Sequence, residues 1–241
     1  MKFSLSFSQR IILLFALFVL GAMLTGGIQM LLGALSDNRL AVTRITVVCQ
    51  DLLVFVLPAL ITALLLTRLP ADLLGLRSFP RWRPMLGWLG ATLVAQPVVE
   101  GLNYLCHQLP WPDAVLQLEA AANESIVALL GAPTAMNIII SLLILSLLTG
   151  LSEELFFRGA LQNIFRTRPM STHLAVWLTA IIFSLMHFQP VGFVPRLLLG
   201  ALFGYAAVRT NSTWTAVCCH ILNNALALAQ LVISCHGSGD R

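Results

Sequence analysis

Two carboxylates and a guanidinium lie inside an otherwise apolar run, in the stretch Gly-Leu-Ser-Glu-Glu-Leu-Phe-Phe-Arg-Gly at Gly150–Gly159. An ionisable side chain at bilayer depth costs at least ~2.5–3.5 kcal/mol on insertion scales, so these groups must pair or face a wet cavity. On a helix, Glu154 and Arg158 are one turn apart and can form an ion pair. Glu153 points ~100° away from that face and has no local cation. It is therefore the first candidate for chemistry.

Further polar residues follow on the next predicted membrane helices. Glu153 and His187 each lie ~14–18 residues, or ~20–27 Å of helical rise, from the turn between their helices. His220 lies only ~12 Å beyond the next turn, so tilt or a kink must bring it to the same depth. His220 and Asn224 share one helix face, as do Phe183 and His187. The spacing predicts that these polar groups cluster.

A carboxylate, two histidines and a carboxamide in one cavity are suited to peptide hydrolysis. They supply a base that activates water, a group that holds or protonates it, and donors for an oxyanion. Simpler interpretations exist for each residue taken alone. The Glu154–Arg158 pair could fix helix packing, His187 could be a packed histidine bonded to a carbonyl, and Asn224 could join two helices. The role of joining two helices suits Asn223 better than Asn224.

Composition places these residues in a membrane protein. The chain has 241 residues, of which 58% are hydrophobic and 10% are charged, and its mean hydropathy is +0.88. A soluble domain carries about 25% charged residues. The net charge of +4 comes from arginines between apolar runs, a topology signal rather than a nucleic-acid surface. The five cysteines show no Cys-x-x-Cys spacing, which predicts buried thiols rather than a zinc knuckle or disulfide framework.

The hydropathy pattern predicts an all-α, polytopic membrane helix bundle that forms one domain over residues 1–241. We expect a short interfacial helix within residues 107–133 and about seven transmembrane helices. The predicted spans are residues 11–35, 45–67, 85–106, 136–165, 172–188, 196–208 and 213–234.

Basic residues predict the orientation of the bundle. With the N-terminus in the cytoplasm, most of them fall on the cytoplasmic side, as the positive-inside rule requires. These residues are Lys2, Arg10, Arg68, Arg77, Arg81, Arg83, Arg166, Arg168 and Arg209. Arg39, Arg44, Arg196 and Arg241 then lie outside.

Three motifs in order, Glu-Glu-x-x-x-Arg, Phe-x-x-x-His and His-x-x-x-Asn, resemble the CAAX prenyl protease and bacteriocin-processing (CPBP, ABI) family of intramembrane proteases. All three match in full, and together they are specific although each alone is weak. The similarity covers about residues 136–234, which are expected to be the catalytic core. The Leu-Gly-Leu-Arg stretch ending at Arg77 also resembles a loop of the family, whereas residues 1–70 carry no motif.

The resemblance implies a role for each motif residue on the later helices. His187 would help to position the attacking water. His220 and Asn224 would stabilise the oxyanion. Phe183 and Asn223, which belong to or adjoin the motifs, are expected to line the substrate cavity.

The resemblance also implies that Glu153 is the base that activates water, with Glu154 and Arg158 supporting it. Members of the family have been described both as metal-dependent proteases and as glutamate proteases without metal. Two histidines and a glutamate could ligate Zn²⁺, and here the ligands would be Glu153, His187 and His220. Because the same groups suffice without metal, our first expectation is that no cofactor is required.

The predicted function is an intramembrane endopeptidase that acts on a peptide or protein, including lipidated or membrane-anchored substrates. Two alternatives stay open: a proton- or ion-coupled transporter, and a non-catalytic immunity or scaffold protein of the same fold. We find no inverted repeat of the kind that many transporters contain. The lipid bilayer is the expected environment, nucleic acid is not an expected partner, and the plasma membrane of a prokaryote is the expected location.

Overall fold

A computed structural model of the chain describes residues 5–167 and 170–239, without the side chains of residues 235–239. Lys2, Arg168 and Arg241, used above for orientation, and the side chain of Cys235 lie outside this part. The described residues form helices and no strands, which confirms the all-α prediction. The helices are α1 (Phe7–Leu35), α2 (Arg39–Leu66), α3 (Pro70–Leu73), α4 (Trp82–His107), α5 (Asp113–Leu130), α6 (Ala135–Arg166), α7 (Thr172–Leu185), α8 (Phe193–Thr210) and α9 (Thr213–Gly239).

Five of these helices, namely α1, α2, α4, α6 and α9, are long and apolar enough to cross a membrane. The predicted polytopic helical membrane protein is thereby confirmed. Helix α7 is apolar but has only 14 residues, and α8 has 18. The count of seven spans, the surface position of α5 and the cytoplasmic N-terminus stay predictions.

Local sequence explains where the central helices begin. The Thr134 hydroxyl caps α6 by accepting the backbone N–H of Asn137 at 3.3 Å, and the Ser171 hydroxyl caps α7 in the same way. Such caps satisfy backbone donors that have no partner within the helix. The start of α9 is tied to the chain after α3, because Thr213 donates from its backbone to Gly75 and from its hydroxyl to Leu74.

Three stretches of wider, π-type turns interrupt the regular α-helical hydrogen bonding. They are Asp51–Val56 in α2 and Leu142–Leu148 and Leu155–Leu161 in α6. The two in α6 flank the Glu153–Glu154 pair, and the one in α2 begins at a buried aspartate. A π-type turn shifts the helix face by about one residue and is frequent at functional sites. These turns therefore set the direction of the buried carboxylates.

Aromatic packing fixes α6 against α1 and α2. The Phe156 ring lies 5.5 Å from Phe18 of α1 and 5.7 Å from Phe55 of α2, measured between centroids. Phe157 also packs on Phe55 at 6.0 Å. On its other side, α6 packs along α9. The helix that carries the two glutamates is thus held at the centre of the bundle.

Glycines allow α8 to approach α6 and α7. A Cβ atom at Gly204 would lie 2.8 Å from Gln162 Oε1 and 2.9 Å from Val176 Cγ1. At Gly200 it would lie 3.2 Å from the backbone of Ala180. Small residues four apart are a common device for close packing of membrane helices.

We expect Gly204→Val to destabilise the protein by about 1–3 kcal/mol, because the added methyl groups overpack the α6–α7–α8 junction. Thermal unfolding of the detergent-solubilised protein measures the effect. Gly101→Val is the matched control, since a Cβ at Gly101 of α4 meets no atom within 4 Å. Equal unfolding temperatures for the two variants would contradict the prediction.

Candidate active site

The predicted ion pair between Glu154 and Arg158 is present and fully buried. Arg158 Nη1 donates to Glu154 Oε1 at 2.5 Å, and neither side chain is exposed. Arg158 Nη2 donates to the carbonyl of Gly200 at 2.7 Å. The guanidinium also lies over the rings of Phe183 and Phe203, at 4.7 and 5.7 Å from their centroids. The pair therefore joins α6 to α8 as well as neutralising a buried carboxylate.

His220 of α9 binds the same carboxylate oxygen. Its Nδ1 lies 2.7 Å from Glu154 Oε1. Because Glu154 is a carboxylate already paired with Arg158, we assign the proton to Nδ1 of His220. This leaves Nε2, which lies 3.8 Å from Glu153 Oε2. The imidazole ring is stacked on Phe203 at 5.2 Å between centroids, which fixes its plane.

Glu153 has a different environment from its neighbour. Its side chain is one-tenth exposed, and Oε2 is buried without a hydrogen-bond partner in the protein. Arg158, which neutralises Glu154, makes no hydrogen bond to Glu153. A carboxylate oxygen held in this way is available to accept a proton.

A cavity of about 430 Å³, here called the α9-side cavity, lies among α5, α6 and α9. Glu153, His187, His220 and Asn224 all line it. His187 Nδ1 is hydrogen-bonded to the carbonyl of Phe183 at 2.8 Å, which leaves Nε2 free. Asn224 uses one amide N–H on the carbonyl of Leu145 at 3.0 Å and has a second to offer. The remaining wall residues are Asn123, Ile126, Val127, Leu145, Thr149, Ala227, Leu228 and Leu231.

Comparison with known families gives a match over the part of the chain that holds these residues. Residues 135–226 match the family model described as type II CAAX prenyl endopeptidase Rce1-like. This segment is Rce1-like, as the three motifs predict. The match supports a CAAX-type membrane protease as the general class of the protein. Neither the curated proteins nor the solved structures give a match to the chain.

Two of the predicted residues are not in the wall of the α9-side cavity. Phe183 is only 3% exposed. The Arg158 guanidinium lies over its ring at 4.7 Å from the centroid, and the His187 ring packs edge-to-face against it at 4.9 Å between centroids. Asn223 instead joins α9 to α4, accepting from Gln96 Nε2 at 3.1 Å. That Phe183 and Asn223 line a substrate cavity stays a prediction, and the hydrogen bond between Gln96 and Asn223 is of the helix-joining kind that the sequence analysis suggested for Asn223.

Asp51, which the sequence analysis did not single out, adds a third carboxylate next to the Rce1-like motif. It is only 1% exposed and accepts hydrogen bonds from Thr149 Oγ1 at 2.8 Å and Ser152 Oγ at 3.0 Å. Thr149 and Ser152 belong to the turn that precedes Glu153. The signal for Asp51 was present in the sequence, because an isolated carboxylate within a predicted span is costly and needs a role.

We expect Asp51→Asn to slow peptide cleavage by roughly 10- to 100-fold while the protein stays folded. The amide keeps one acceptor for the two hydroxyls, so the turn before Glu153 is held less firmly, and small misplacements of catalytic groups are costly. Initial rates on a fluorogenic peptide measure the effect. Asp37→Asn, on an exposed residue between α1 and α2, is the control. Equal rates for both variants would contradict a positioning role.

The donor atoms do not fit a metal ion in this arrangement. Among the described residues, no group of three His, Cys, Asp or Glu side chains converges closely enough to hold one. We therefore derive no chemical step through a metal, and the expectation that none is required stays a prediction.

Proposed function

We propose that the protein is an intramembrane endopeptidase in which Glu153 activates the water that hydrolyses a peptide bond. The observation that carries this proposal is the position of Glu153. Its Oε2 is unpartnered, lies 3.8 Å from His220 Nε2, and belongs to a side chain in the wall of a cavity that His187 and Asn224 also line. A base, a second polar group and an amide donor thus meet where a peptide carbonyl can enter.

The reaction follows from these groups. Glu153 takes a proton from water as the water oxygen bonds to the carbonyl carbon, and the carbonyl electron pair moves to its oxygen. The resulting oxyanion accepts hydrogen bonds from the second amide N–H of Asn224 and, in the imidazolium form, from Nε2–H of His220. His187 donates from Nδ1 to the Phe183 carbonyl, so its unprotonated Nε2 can accept a hydrogen bond from the attacking water. Glu153 then gives the proton to the amide nitrogen as the carbon–nitrogen bond breaks. The products are a carboxylic acid and an amine.

Glu154 and Arg158 act through His220 rather than on the substrate. Glu154 accepts from His220 Nδ1 and so fixes the ring with Nε2 toward Glu153. When Nε2 is also protonated, it becomes a donor to the oxyanion, and the carboxylate stabilises that imidazolium form. Arg158 pairs with Glu154 and balances its charge in the interior of the bundle. Glu154 and Arg158 are positioning residues.

Cleavage by the purified, detergent-solubilised protein tests the proposal. The substrates are quenched peptide libraries, prenylated and unmodified, with and without a chelator. We expect the wild type to cleave, His220→Ala to lose cleavage, and the chelator to have no effect. The matched control is His173→Ala, because His173 of α7 is an exposed histidine that hydrogen-bonds Tyr205 outside the site.

The alternatives make different predictions in the same preparations. A transporter predicts uptake driven by a proton gradient in proteoliposomes, with no cleavage of any peptide. A scaffold or immunity protein predicts that its cellular phenotype survives loss of the motif residues. Absence of cleavage by folded wild type would contradict the protease, and chelator sensitivity would contradict the metal-free mechanism. We also propose that the protein is located in the plasma membrane of a prokaryote.

A further inference from the structure

A second cavity, with basic walls, lies at the end of the bundle where α6 and α8 end and α9 begins. This basic pocket has a volume of about 590 Å³, and Arg77, Arg158 and Arg166 line it. Asp72 is the one acidic side chain among the described residues of its wall. The volume is in the range of ~300–1,000 Å³ that is usual for ligand sites. The proposed reaction gives no role to Arg77, Arg166 or Asp72.

The position of the basic pocket matches the level of lipid head groups. Helices α6 and α9 are long and apolar enough to cross a membrane. Arg166 is the last residue of α6, and Thr213 is the first residue of α9. The ends of spanning helices lie in the polar head-group region. The arginines at this end also predict that it faces the cytoplasm, the side on which basic pockets between membrane helices bind anionic head groups.

Hydrogen bonds between distant segments hold the walls of the pocket. Besides the two bonds from Thr213 described above, the Ser212 hydroxyl donates to the carbonyl of Ser78 at 2.8 Å. The amide of Asn163 in α6 donates to the carbonyl of Leu73 at 2.8 Å. These bonds fix the chain between α3 and α4 against α6 and α9. A wall that is already ordered lowers the cost of binding a ligand.

Two of the arginines keep donors for a ligand. Arg77 Nη1 donates to the two oxygens of Asp72 at 3.0 and 3.3 Å, and Arg166 Nη1 donates to Asn163 Oδ1 at 3.1 Å. A guanidinium has five N–H donors in a fork that matches phosphate, so each arginine has others to offer. The Arg77–Asp72 pair is exposed, and exposed ion pairs are weak. An anionic ligand can therefore compete with Asp72 for Arg77.

Two buried side chains that border the pocket each have a polar atom without a hydrogen-bond partner among the described residues. The atoms are Nε of Arg158, a donor, and Oε1 of Gln162, an acceptor. Both residues are only 1% exposed. Buried polar atoms are nearly always satisfied by protein or ordered water, and an orphan indicates a missing water or ion. A ligand in the pocket, with the water that it holds, can supply both hydrogen bonds.

We propose that the basic pocket binds a phosphate-bearing anion, either as the head group of an anionic phospholipid or as the free ion. Phosphate oxygens accept hydrogen bonds from several arginines at once, and the excess of arginine over aspartate in the wall balances the negative charge. The Leu-Gly-Leu-Arg stretch that ends at Arg77 forms part of this wall. Because the site needs no peptide substrate, the inference is independent of the proposed protease function.

Three substitutions change the charge of the pocket in opposite directions. Arg77→Gln and Arg166→Gln each remove a positive charge and should weaken binding about fivefold, the contribution of one basic residue near a membrane surface. Asp72→Asn removes the competing carboxylate and should strengthen binding, a gain that a misfolded protein would not produce. Arg68→Gln is the matched control, because Arg68 is exposed just before α3 and does not line the pocket.

The first measurement tests a lipid as the source of the phosphate. Native mass spectrometry counts the lipids that stay bound to the full chain in micelles with equal amounts of phosphatidylglycerol and phosphatidylcholine. We expect the wild type to retain phosphatidylglycerol preferentially. Arg77→Gln and Arg166→Gln should reduce this preference, Asp72→Asn should increase it, and Arg68→Gln should equal the wild type. This pattern would assign the site to a lipid head group.

The second measurement tests the free ion. Inorganic phosphate is titrated into the full chain in a neutral detergent and followed by calorimetry. Saturable binding that the pocket variants change in the expected directions, without preference for phosphatidylglycerol, would assign the site to free phosphate. Absence of saturable binding of both probes would overturn the proposal. Equal losses in Arg166→Gln and Arg68→Gln would also overturn it, because they would indicate a general attraction to the basic end of the protein.

Discussion

Glu153→Gln should lower the rate of peptide cleavage by about 10²–10⁴-fold, the range that a general base contributes. The substitution preserves shape, but an amide cannot take a proton from water. Glu153 Oε2 has no hydrogen-bond partner in the protein, and its contact with His220 Nε2 at 3.8 Å involves no charge on the histidine while that nitrogen is unprotonated. Removing the charge of Glu153 should therefore leave the folded state at least as stable as wild type. We expect loss of activity with no loss of unfolding temperature.

Initial rates at saturating substrate measure the loss of activity, and thermal unfolding of the same preparation measures the stability. Glu100→Gln, on an exposed glutamate of α4, is the matched control and should keep wild-type rates. A Glu153→Gln protein that cleaves at more than a tenth of the wild-type rate would assign the base to another residue. His220, whose Nε2 faces Glu153, would then be the first to test.

Arg158→Leu should lower the free energy of unfolding strongly, whereas Glu153→Gln should not lower it. The change leaves the buried Glu154 carboxylate without its cation and the Gly200 carbonyl without its donor. Removing one partner of a buried ion pair typically costs about 3–5 kcal/mol. The double variant Glu154→Gln/Arg158→Leu should recover much of that stability, because no unpaired charge is then left. Its activity should stay low, since His220 has lost the carboxylate that orients it.

Denaturant unfolding in detergent measures the stabilities of the single and double variants. The exposed pair Arg77–Asp72 supplies the control, because its N···O distance is 3.0 Å but the two side chains are 73% and 35% exposed. Arg77→Leu should cost no more than about 1 kcal/mol. If Arg158→Leu were as stable as Arg77→Leu, the buried pair would not be what joins α6 to α8.

Much of the arrangement within α6 could be predicted from the sequence, because helix geometry decides it. The four-residue spacing of Glu154 and Arg158 defines their ion pair, and the structure contains that pair. Counting residues from the turn places Glu153 and His187 at similar depth, and both line the same cavity. The apolar runs also define helices whose ends lie within about six residues of the predicted ones, the largest difference being the start of α2 at Arg39 rather than at residue 45.

Contacts that depend on helix tilt and on local widening of a helix could not be predicted. The contact between His220 and Glu154 requires α9 to lie close along α6, which residue spacing does not specify. The predicted span over residues 172–188 is shorter in the structure, because α7 ends at Leu185 and Phe188 adopts a left-handed backbone with φ 53°. His187 therefore lies beyond the helix, on the chain between α7 and α8.

The hydrogen bonds of Asp51 connect the segment that matches the family model to a helix that precedes it. The family match begins at residue 135, yet Thr149 and Ser152 inside it depend on a carboxylate from α2, and Phe156 and Phe157 pack on α1 or α2. In residues 135–226 expressed alone, the Thr149 and Ser152 hydroxyls would keep only carbonyls of their own helix as partners, and the aromatic surface of Phe156 and Phe157 would lose its contacts with α1 and α2. We therefore expect that residues 135–226 need the helices that precede them in order to hold the site. A designed protein that carries this segment would also need a helix with a buried carboxylate beside the turn before Glu153.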